Sequence, residues 1–589
     1  MSDEKKIPPV ETSEIDADEL MAKYDKEAAY RRLDGIPAKL VFVICVIWSL
    51  VQLYTGLFGI FPSTLQRAPH LAAAMTLVYL LYPMFGKGGR SIPIYDYILA
   101  IGCVFCGAYH VIFYEELLLR AGAFTTLDIV VSVMAIVLLL EAARRVAGPI
   151  ITGLAALFLV YAFFGHLIPR SIFLFHAKFT FKRVVCTEWL GTEGILGSPI
   201  YVSSTFIFLF LVFATFLKAS GVGDWMTGLA MGACGGAVGG PAKAAVIASA
   251  LQGTVSGSSV ANVVSTGSIT IPLMKKTGYR PEFAGAVEAA ASTGGQIMPP
   301  IMGSAAFLMM QYLGVPYSDI MRAAIFPALL YYFSVYMWVH YTALRMGNRG
   351  LPKEEIPPIQ NLKRRIILLL PLVAIIVSML IGYTAIFAAF IGIFVTILAG
   401  LFQVDRITIK KIIGALISGA KSSLTAMIAC IVAGIIVGVC NLTGLGQVIT
   451  YNITELSGGS LLFTLFLTAF SCIILSMGLP AAACYILVAT IVAPALVRMD
   501  VTPMAAHMFV FIFSCYSNIT PPVAIASFTA AGIAQCRPFD VAIQGLKVAA
   551  PSFIIPFMFV YNPALLLENV GFLEVLITVI TTTIGVLYI

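Results

Sequence analysis

The sequence predicts an all-α protein that crosses a membrane many times and is built from two related halves. Of its 589 residues, 60% are hydrophobic and only 11% are charged. Apolar runs of about 20 residues, the length that crosses a ~30 Å hydrocarbon layer, recur along the chain. A soluble core cannot absorb this much apolar surface, so the composition indicates a polytopic helical membrane protein.

A broken stretch from Gly253 to Met302 lies within this apolar chain. Ser, Thr, Gly, Asn and Pro interrupt it so often that no continuous spanning helix can run through it. Backbone that is broken at membrane depth must be satisfied by protein or must line a wet cavity. The stretch is therefore a candidate binding site.

The same pattern returns 222 positions downstream without a gap. The matched residues are Pro272 with Pro494, Pro281 with Pro503, Ser292 with Ser514, Gln296 with Asn518, and Pro299-Pro300 with Pro521-Pro522. A shared ladder of Pro, amide and Pro-Pro in one register indicates an internal structural repeat. Two halves that each carry a hairpin and a broken helix are typical of a secondary transporter.

The polar residues 1–39 are expected to form a cytoplasmic N-terminal tail, because they carry both signs of charge and contain no apolar stretch. Lys and Arg in the later loops set the orientation by the positive-inside rule. Counting spans between these loops makes the first hairpin enter from the cytoplasm and the second from outside. The repeats are therefore predicted to be inverted, although four cations between residues 170 and 183 violate this map.

Residues 40–169 are predicted to hold five helices, each an apolar run between charged loops. The expected spans are 40–61, 71–85, 94–114, 127–140 and 148–166. Residues 170–198 are interpreted as an interfacial connector. Their first part mixes Phe, Lys, Arg, His and Trp, which favours amphipathic segments that lie along the membrane surface.

Residues 199–589 are predicted to contain both repeats. The first hairpin is expected at about 242–274, with its tip near Ser256-Gly257, and a helix over 282–298 broken at Pro299-Pro300 follows it. The second hairpin is expected at about 461–497, with its tip near Gly478-Leu479-Pro480. The remaining spans are expected at 200–218, 320–343, 366–383, 385–402, 412–440, 541–561 and 572–589.

The first hairpin tip offers hydroxyls, an amide and close backbone approach. Its candidate binding residues are Ser256, Gly257, Ser258, Ser259 and Asn262. The ends of half-helices present free N–H groups to anions and free C=O groups to cations. Packing is the alternative interpretation, because Ser and Gly also let membrane helices touch.

The broken helices are expected to partner the two tips. Their candidate residues are Gly294, Gly295 and Gln296 in the first half, and Ser517, Asn518 and Thr520 in the second, with Gly478 and Pro480 at the second tip. Proline frees a carbonyl one turn back, and such carbonyls together with Asn or Thr oxygens could hold a desolvated Na⁺. The expected Na⁺ contacts are Ser258, Asn262, Gly295, Gly478 and Asn518, and a plain helix kink is the alternative.

Glu288 is an ionisable residue in an otherwise apolar predicted helix. Ser292 and Gln296 follow it at i+4 and i+8, so the three side chains are expected on one face. A carboxyl group at membrane depth is expensive and functional by default. Because burial disfavours the charged form, Glu288 could carry a proton. A structural Glu paired with Lys243 or with another helix is the alternative.

Several motifs are absent from the sequence. There is no G-x-x-x-x-G-K-[ST] phosphate loop, no H-E-x-x-H zinc motif and no convincing pair of nucleophile and base. No basic patch interleaved with aromatic residues suggests a nucleic acid. We therefore expect neither an enzyme nor a cofactor other than a coupling ion, either H⁺ or Na⁺, and an ion channel is the less favoured alternative.

Residues 256–300 carry a family resemblance. Their sequence, SGSSVANVVSTGSITIPLMKKTGYRPEFAGAVEAAASTGGQIMPP, resembles the signature of the large membrane subunit of tripartite ATP-independent periplasmic (TRAP) transporters, in its TAXI version. The helices before residue 169 resemble the small membrane subunit fused in front. The chain thus looks like a fused membrane component of a TRAP transporter.

This resemblance implies an elevator-type importer in the bacterial inner membrane, with two re-entrant helical hairpins in an inverted repeat. Such a transporter receives a small organic acid from a periplasmic substrate-binding protein and is driven by a cation gradient. Both repeats would supply the moving domain, and the small-subunit-like helices would extend the static scaffold. The dicarboxylate branch that this chain resembles usually has a neutral residue at the position of Glu288. This departure puts Na⁺-only coupling in doubt, and H⁺ coupling is slightly preferred here.

Overall fold

The computed structural model describes residues 30–85, 89–352, 354, 356, 365–403, 406–476, 479–568 and 570–588. Over these ranges the chain forms α-helices joined by short turns, and no strand occurs in them. Eight of the described helices are long and apolar enough to cross a bilayer. The predicted all-α polytopic class is therefore confirmed, while most of the predicted tail falls outside the described residues.

The first seven helices form the N-terminal part of the fold. They are α1 (Gly35–Phe58), α2 (Ser63–Leu81), α3 (Ile94–Ile112), α4 (Tyr114–Leu119), α5 (Thr126–Val146), α6 (Pro149–Phe164) and α7 (Phe181–Leu190). Local signals set several of the starts. Thr125 caps α5 in a capping box with Asp128, and Pro149 occupies the first turn of α6, where a missing N–H costs nothing.

Three predicted boundaries in this part are wrong by five residues or more, and one of them is the start of α2, which lies at Ser63 rather than at residue 71. Helix α1 begins at Gly35 rather than at residue 40, and α5 continues to Val146 rather than ending at 140. In both cases charged residues suggested a loop. In the structure these residues lie on helices. Glu141 pairs with Arg144 and Arg145 on α5, and Lys39 is exposed on α1, so none of them ends a helix. In the connector 170–198, helix α7 covers only the middle part, Phe181–Leu190, and α8 begins at Ser198.

A buried ion-pair network holds the N-terminal helices together at one end. Asp96 at the start of α3 is fully buried and binds Arg31 at 2.5 Å and Arg145 at 2.7 Å. Arg31 also donates to the carbonyl oxygens of Tyr79 and Leu80, at 3.1 and 3.2 Å. The network therefore joins the segment before α1 to the ends of α2 and α5 and the start of α3.

The first half of the large C-terminal region continues with eight helices. They are α8 (Ser198–Val202), α9 (Phe208–Ala219), α10 (Val222–Cys234), α11 (Gly240–Ser256), α12 (Ser259–Lys276), α13 (Pro281–Gly294), α14 (Ser304–Leu313) and α15 (Tyr317–Met346). A π-helical turn, Ser203–Ile207, joins α8 to α9. Helices α11 and α12 form the first hairpin.

The remaining helices complete the chain. They are α16 (Leu370–Ile381), α17 (Ala385–Leu401), α18 (Ile409–Thr443), α19 (Leu445–Leu456), α20 (Leu461–Leu475), α21 (Ala481–Ile491), α22 (Ala493–Val497), α23 (Pro503–Tyr516), α24 (Ile525–Ala534), α25 (Pro538–Ala549), α26 (Ile555–Tyr561) and α27 (Phe572–Tyr588). Helices α20 and α21 form the second hairpin. Helices α10 and α19 have no counterpart among the predicted spans.

The helix boundaries repeat along the chain with the offset seen in the sequence. Helices α13 and α23 have 14 residues each and begin 222 positions apart, at Pro281 and Pro503. Helices α12 and α21 also begin 222 positions apart, at Ser259 and Ala481. The two halves therefore share one order of elements, and their inverted orientation stays a prediction.

The broken helix of the first repeat ends earlier than predicted, although the break does include Pro299-Pro300. Helix α13 ends at Gly294, not at 298, and residues 295–303 form a non-helical segment before α14. A Cβ on Gly253 of α11 would lie 2.3 Å from the Cα of Gly295. This close backbone contact requires glycine at both positions, and glycine has a low helix propensity, so α13 ends before the prolines.

Breaking the buried network should destabilise the protein. We expect Asp96→Asn to lower the free energy of unfolding by about 3 to 5 kcal/mol, because two buried guanidinium groups lose their charge partner. Denaturation in mixed SDS and mild-detergent micelles measures this change.

Glu188→Gln is the matched control for this prediction. Glu188 on α7 is fully buried, and neither of its carboxylate oxygens has a hydrogen-bond partner among the described residues. Burial without a partner disfavours the charged carboxylate, and a neutral amide avoids that cost, so we expect this variant to keep or raise the free energy of unfolding. Equal shifts in the same direction for both variants would contradict the assigned roles of the two carboxyl groups.

Candidate functional site

A cavity of about 100 Å³ lies where the two hairpin tips meet. Residues 256–258 line it from the first tip and residues 480–482 from the second. Gln296 and Met302 line it from the segment between α13 and α14. The opposite wall includes Phe210 of α9 and Ser422 of α18. Both repeats and both long neighbouring helices therefore contribute to one site.

The first tip owes its shape to Gly257. This residue has φ +59°, in the left-handed region, and a Cβ on it would lie 2.3 Å from the carbonyl oxygen of Met302. Both facts require glycine. Ser258 then caps α12, and its Oγ accepts a hydrogen bond from the backbone N–H of Ala261 at 3.3 Å. The tip therefore lies tightly against the broken segment.

Three helix N-termini converge on the cavity. Its lining includes the N-cap residues of α12, α14 and α21, which are Ser258, Gly303 and Pro480. A helix N-terminus carries a partial positive charge and presents free N–H groups. No charged side chain is among the described residues that line the cavity. The site can therefore hold an anion through helix ends and serine hydroxyls.

A hydrogen bond joins equivalent positions of the two repeats. The side-chain amide nitrogen of Asn518 donates to Oε1 of Gln296 at 2.8 Å. Asn518 also donates to the carbonyl oxygen of Cys515 at 3.1 Å. The two broken segments therefore meet directly beside the cavity, and the Gln296 side chain is held by its counterpart.

The peptide groups freed by the two breaks find partners within the protein. The N–H of Gly303 donates to the carbonyl oxygen of Gln296 at 2.7 Å, and the N–H of Ala526 donates to that of Asn518 at 3.0 Å. The Tyr317 hydroxyl reaches the carbonyl oxygens at 300 and 301, at 3.0 and 2.5 Å. This internal bonding allows irregular backbone at membrane depth.

Glu288 lies behind the first tip and is fully buried. Four hydroxyl groups contact its carboxylate, at 2.8 Å for Ser249 and 3.2 Å for Ser292, with short contacts from Thr266 and Thr270. A hydroxyl can donate to a carboxylate and accept from a carboxyl group. The surroundings of Glu288 therefore suit both of its protonation states.

The surroundings of Glu288 differ from those expected in two respects, although Ser249, Thr266 and Thr270, which contact it, do lie on other helices, as the alternative interpretation allowed. Lys243 does not reach it, because its Nζ lies 5.2 Å from the centre of the Tyr336 ring. Gln296 does not share its face, because α13 ends at Gly294 and Gln296 turns into the cavity instead. Only Ser292 of the predicted row contacts the carboxylate.

Asn262 lies next to this carboxyl cluster. Its amide nitrogen donates to the carbonyl oxygen of Ser249 at 2.9 Å, whereas its Oδ1 is buried without a hydrogen-bond partner among the described residues. An unpaired buried amide oxygen suits a cation ligand. The Ser249 residue links the two groups, since its hydroxyl contacts Glu288.

The other predicted site residues have structural contacts. The hydroxyls of Ser517 and Thr520 bond carbonyl oxygens of their own segment, at 2.7 and 2.8 Å. Ser259 is buried in the first turn of α12, and a Cβ on Gly294 would lie 2.4 Å from the Tyr331 ring. Gly478 lies outside the described residues.

Sequence reasoning missed part of the site. Thr266 and Thr270 stand at i and i+4 on α12, a spacing that places both hydroxyls on one helix face and could have signalled a polar partner. Ser249, Phe210 and Ser422 carried no comparable signal, because their role depends on the packing of distant helices.

Comparison with known proteins places this geometry in a family. Residues 134–572 match the model described as tripartite ATP-independent periplasmic transporter, DctM component. The C4-dicarboxylate TRAP transporter large permease protein DctM of Vibrio cholerae is 26% identical over 387 residues, which cover 60% of this chain and 82% of that protein.

A second relative is a longer protein. The isethionate TRAP transporter permease protein DctMQ of Oleidesulfovibrio alaskensis is 21% identical over 366 residues, which are 60% of this chain and 56% of that protein. The family match includes both hairpins, both broken segments and the cavity between them. The chain therefore belongs to the family of the DctM component of tripartite ATP-independent periplasmic transporters.

Proposed function

We propose that this protein imports a small organic acid by cation symport, as the fused membrane component of a TRAP transporter of the TAXI type. The main support for this proposal is the cavity between the two hairpin tips. The described residues that line it include the N-caps of three helices and no charged side chain. Such a site stabilises a carboxylate through N–H groups and hydroxyls. The family of this chain is a family of transporter permeases, which supports transport rather than catalysis.

The family and the relatives support the substrate class and the partner. The relatives are named for C4-dicarboxylate and for isethionate, which are both small organic anions. Eight of the helices in the described ranges are apolar and long enough to cross a bilayer, and this family member is a multi-pass protein of the bacterial inner membrane. A periplasmic substrate-binding protein would deliver the acid to the outer face.

The position of the cavity favours an elevator mechanism. Its hairpin tips and broken segments belong to the two repeats, whereas Phe210 and Ser422 belong to the long helices α9 and α18 opposite them. The cavity of about 100 Å³ is smaller than ligand pockets, which are roughly 300 to 1,000 Å³. The repeats must therefore move away from α9 and α18 when the substrate enters.

Glu288 is the group that we assign to proton coupling. Its four hydroxyl contacts serve either protonation state, and Ser249 connects it to Asn262 behind the tip. A proton on Glu288 removes a buried charge from the moving bundle, which lowers the cost of crossing the apolar scaffold. Protonation of Glu288 and the movement of the bundle across the scaffold are then linked.

A Na⁺-coupled version is the second candidate, and one observation favours it. The unpaired Oδ1 of Asn262 is available as a cation ligand beside the tip. Oxygens of Ser258 and the backbone near Gly295 would complete such a site, with Gly478 and Asn518 serving the second half. The Asn518 amide nitrogen is already engaged by Gln296, which leaves its oxygen for this role.

Uptake in proteoliposomes tests the proposal. We expect accumulation of a small dicarboxylate to require the cognate periplasmic binding protein and an inward proton gradient, and to continue without Na⁺. Protonophore treatment is the control. Uptake that needs Na⁺ and ignores pH would replace the proton by Na⁺, and single-channel currents without the binding protein would contradict the transporter.

Glu288→Gln should separate substrate movement from proton drive. The neutral amide resembles the protonated carboxyl group, so we expect exchange of labelled for unlabelled substrate to persist while uptake driven by a pH gradient falls at least tenfold. Ser292→Ala is the matched control. It should change pH-driven uptake little, because the loss of one of the four hydroxyl contacts costs about 1 kcal/mol or less and three hydroxyls remain. Unchanged pH-driven uptake in Glu288→Gln would refute this role.

The bond between the repeats should show coupling in a double-mutant cycle. We expect Gln296→Ala and Asn518→Ala to weaken apparent substrate affinity, with a coupling free energy of about 1 kcal/mol, because either change removes the shared hydrogen bond. Thr520→Val is the control and should behave like the wild type, since its hydroxyl contacts only its own segment. Strictly additive effects would show that the bond does not support the site.

A further inference from the structure

The internal repeat gives each residue around Glu288 a counterpart 222 positions downstream. The matched pairs are Glu288 with Val510, Thr266 with Val488 and Thr270 with Val492. All three valines are buried. The second repeat therefore has three buried apolar side chains at the positions where the first repeat has a carboxyl group and two hydroxyls.

The second repeat also has a thiol in place of an amide. Cys484 of α21 is the counterpart of Asn262, and its Sγ lies 3.5 Å from the carbonyl oxygen of Cys472 on α20. Asn262 makes the equivalent link in the first hairpin, where its amide nitrogen donates to the carbonyl oxygen of Ser249. The limbs of both hairpins are thus linked in the same way. A thiol, however, has no counterpart of the unpaired Oδ1 of Asn262.

Two serines that the repeats share have different partners in the second repeat. Ser249 and Ser292 contact the buried carboxylate of the first repeat, at 2.8 and 3.2 Å. Their counterparts, Ser471 and Ser514, donate to the carbonyl oxygens of the residues four positions earlier in their own helices, both at 2.8 Å. In the second repeat these hydroxyls therefore satisfy backbone groups and do not surround an ionisable side chain.

A buried carboxyl group is missing from the second repeat. Residues 461–534 contain one acidic residue, Asp500, which is exposed in the turn before α23. In the first repeat, Glu288 is fully buried at the centre of its hydroxyl groups. The two repeats therefore differ in their capacity to take up a proton inside the moving bundle.

His507 of α23 is the other side chain of the second repeat that could hold a proton. Its Nδ1 is hydrogen-bonded to the Tyr485 hydroxyl at 2.7 Å, and its ring centre lies 6.0 Å from that of Tyr312. Glu568, near the start of α23, accepts from the Thr502 hydroxyl at 2.6 Å. An imidazolium at this buried position would have no carboxylate partner among the described residues, so we expect His507 to stay neutral.

The helices packed around Glu288 carry several other titratable side chains, which contact other groups or are exposed. They are Lys243, Lys275, Lys276, Tyr332, Asp540 and Lys547. The four hydroxyls are the groups that contact the Glu288 carboxylate, and no ion pair among the described residues fixes its charge. Its protonation can therefore change without breaking a salt bridge.

We propose that the first repeat alone binds the coupling ion, so that about one proton enters with each substrate. This inference rests on the proposed role of Glu288 and adds that the second repeat contributes no proton. A dicarboxylate that enters with a single proton carries net negative charge across the membrane. Its import is then opposed by a membrane potential that is negative inside.

Proton entry and substrate entry, measured in the same proteoliposomes, test this inference. The full chain is reconstituted with its binding protein, a pH dye is trapped inside, and valinomycin with equal K⁺ on both sides holds the membrane potential at zero. The substrate is the labelled dicarboxylate of the uptake assay above, used above about pH 7, where both of its carboxyl groups are ionised. We expect the initial rates to give about one proton per substrate.

His507→Gln is the matched control, because glutamine can keep a hydrogen bond to Tyr485 but cannot titrate. Its ratio of protons to substrate should equal that of the wild type. A ratio of about two in the wild type, or a ratio that falls in His507→Gln, would overturn the inference and leave the proposed proton coupling intact. A ratio near zero with uptake that needs Na⁺ would contradict the proton coupling itself.

The membrane potential provides a second readout. A K⁺ gradient that makes the inside positive should speed uptake of the dicarboxylate at constant pH, because net negative charge moves inward. Uptake that does not respond to the potential would indicate that a further proton balances the charge, and it would overturn the inference.

Discussion

Peptide groups freed at the two helix breaks must find hydrogen-bond partners, and the rest of the site depends on how they do so. The N–H groups of Gly303 and Ala526 donate to the carbonyl oxygens of Gln296 and Asn518, respectively. The Tyr317 hydroxyl contacts two further carbonyl oxygens, those of residues 300 and 301. Because these contacts satisfy the breaks within the protein, irregular backbone is tolerated beside the N-termini of α12, α14 and α21 that line the cavity. In the proposed function, these helix ends hold the anion without a charged side chain.

Buried carboxyl groups, like buried peptide groups, need partners, and Asp96 and Glu288 find partners of different kinds. Asp96 lies between two guanidinium groups and contributes to a rigid corner, whereas Glu288 lies among hydroxyls that accept either protonation state. Fixed charge pairs suit a scaffold, and hydroxyl-lined carboxyl groups suit a part that changes charge. In the proposed mechanism, Asp96 would stabilise the scaffold and Glu288 would change charge in the moving bundle, whereas the buried, unpaired Glu188 of α7 belongs to neither kind.

Much of the fold could be predicted from the sequence, because hydropathy marks the spans and proline marks the repeat. The ends of the helices and the contact partners of the site residues were harder to predict from the sequence. The same-face argument placed Gln296 beside Glu288, yet the contact of Gly253 with Gly295 ends α13 first. The hydroxyl of Ser249 and the buried carboxylate of Glu188 depend on helices distant in sequence, which periodicity alone cannot reveal.

The contact of Gly253 with Gly295 has no equivalent in the second repeat, where Leu475 and Ser517 occupy the corresponding positions. Two backbones in direct contact have no rotamer that could absorb a displacement, so the first hairpin is locked to its broken segment. The second hairpin lacks that lock. The two hairpins are therefore mechanically unequal, although the repeats are related in sequence. In the proposed transport cycle, this difference favours a single gate, which opens and closes on the same side of the substrate in both halves of the cycle.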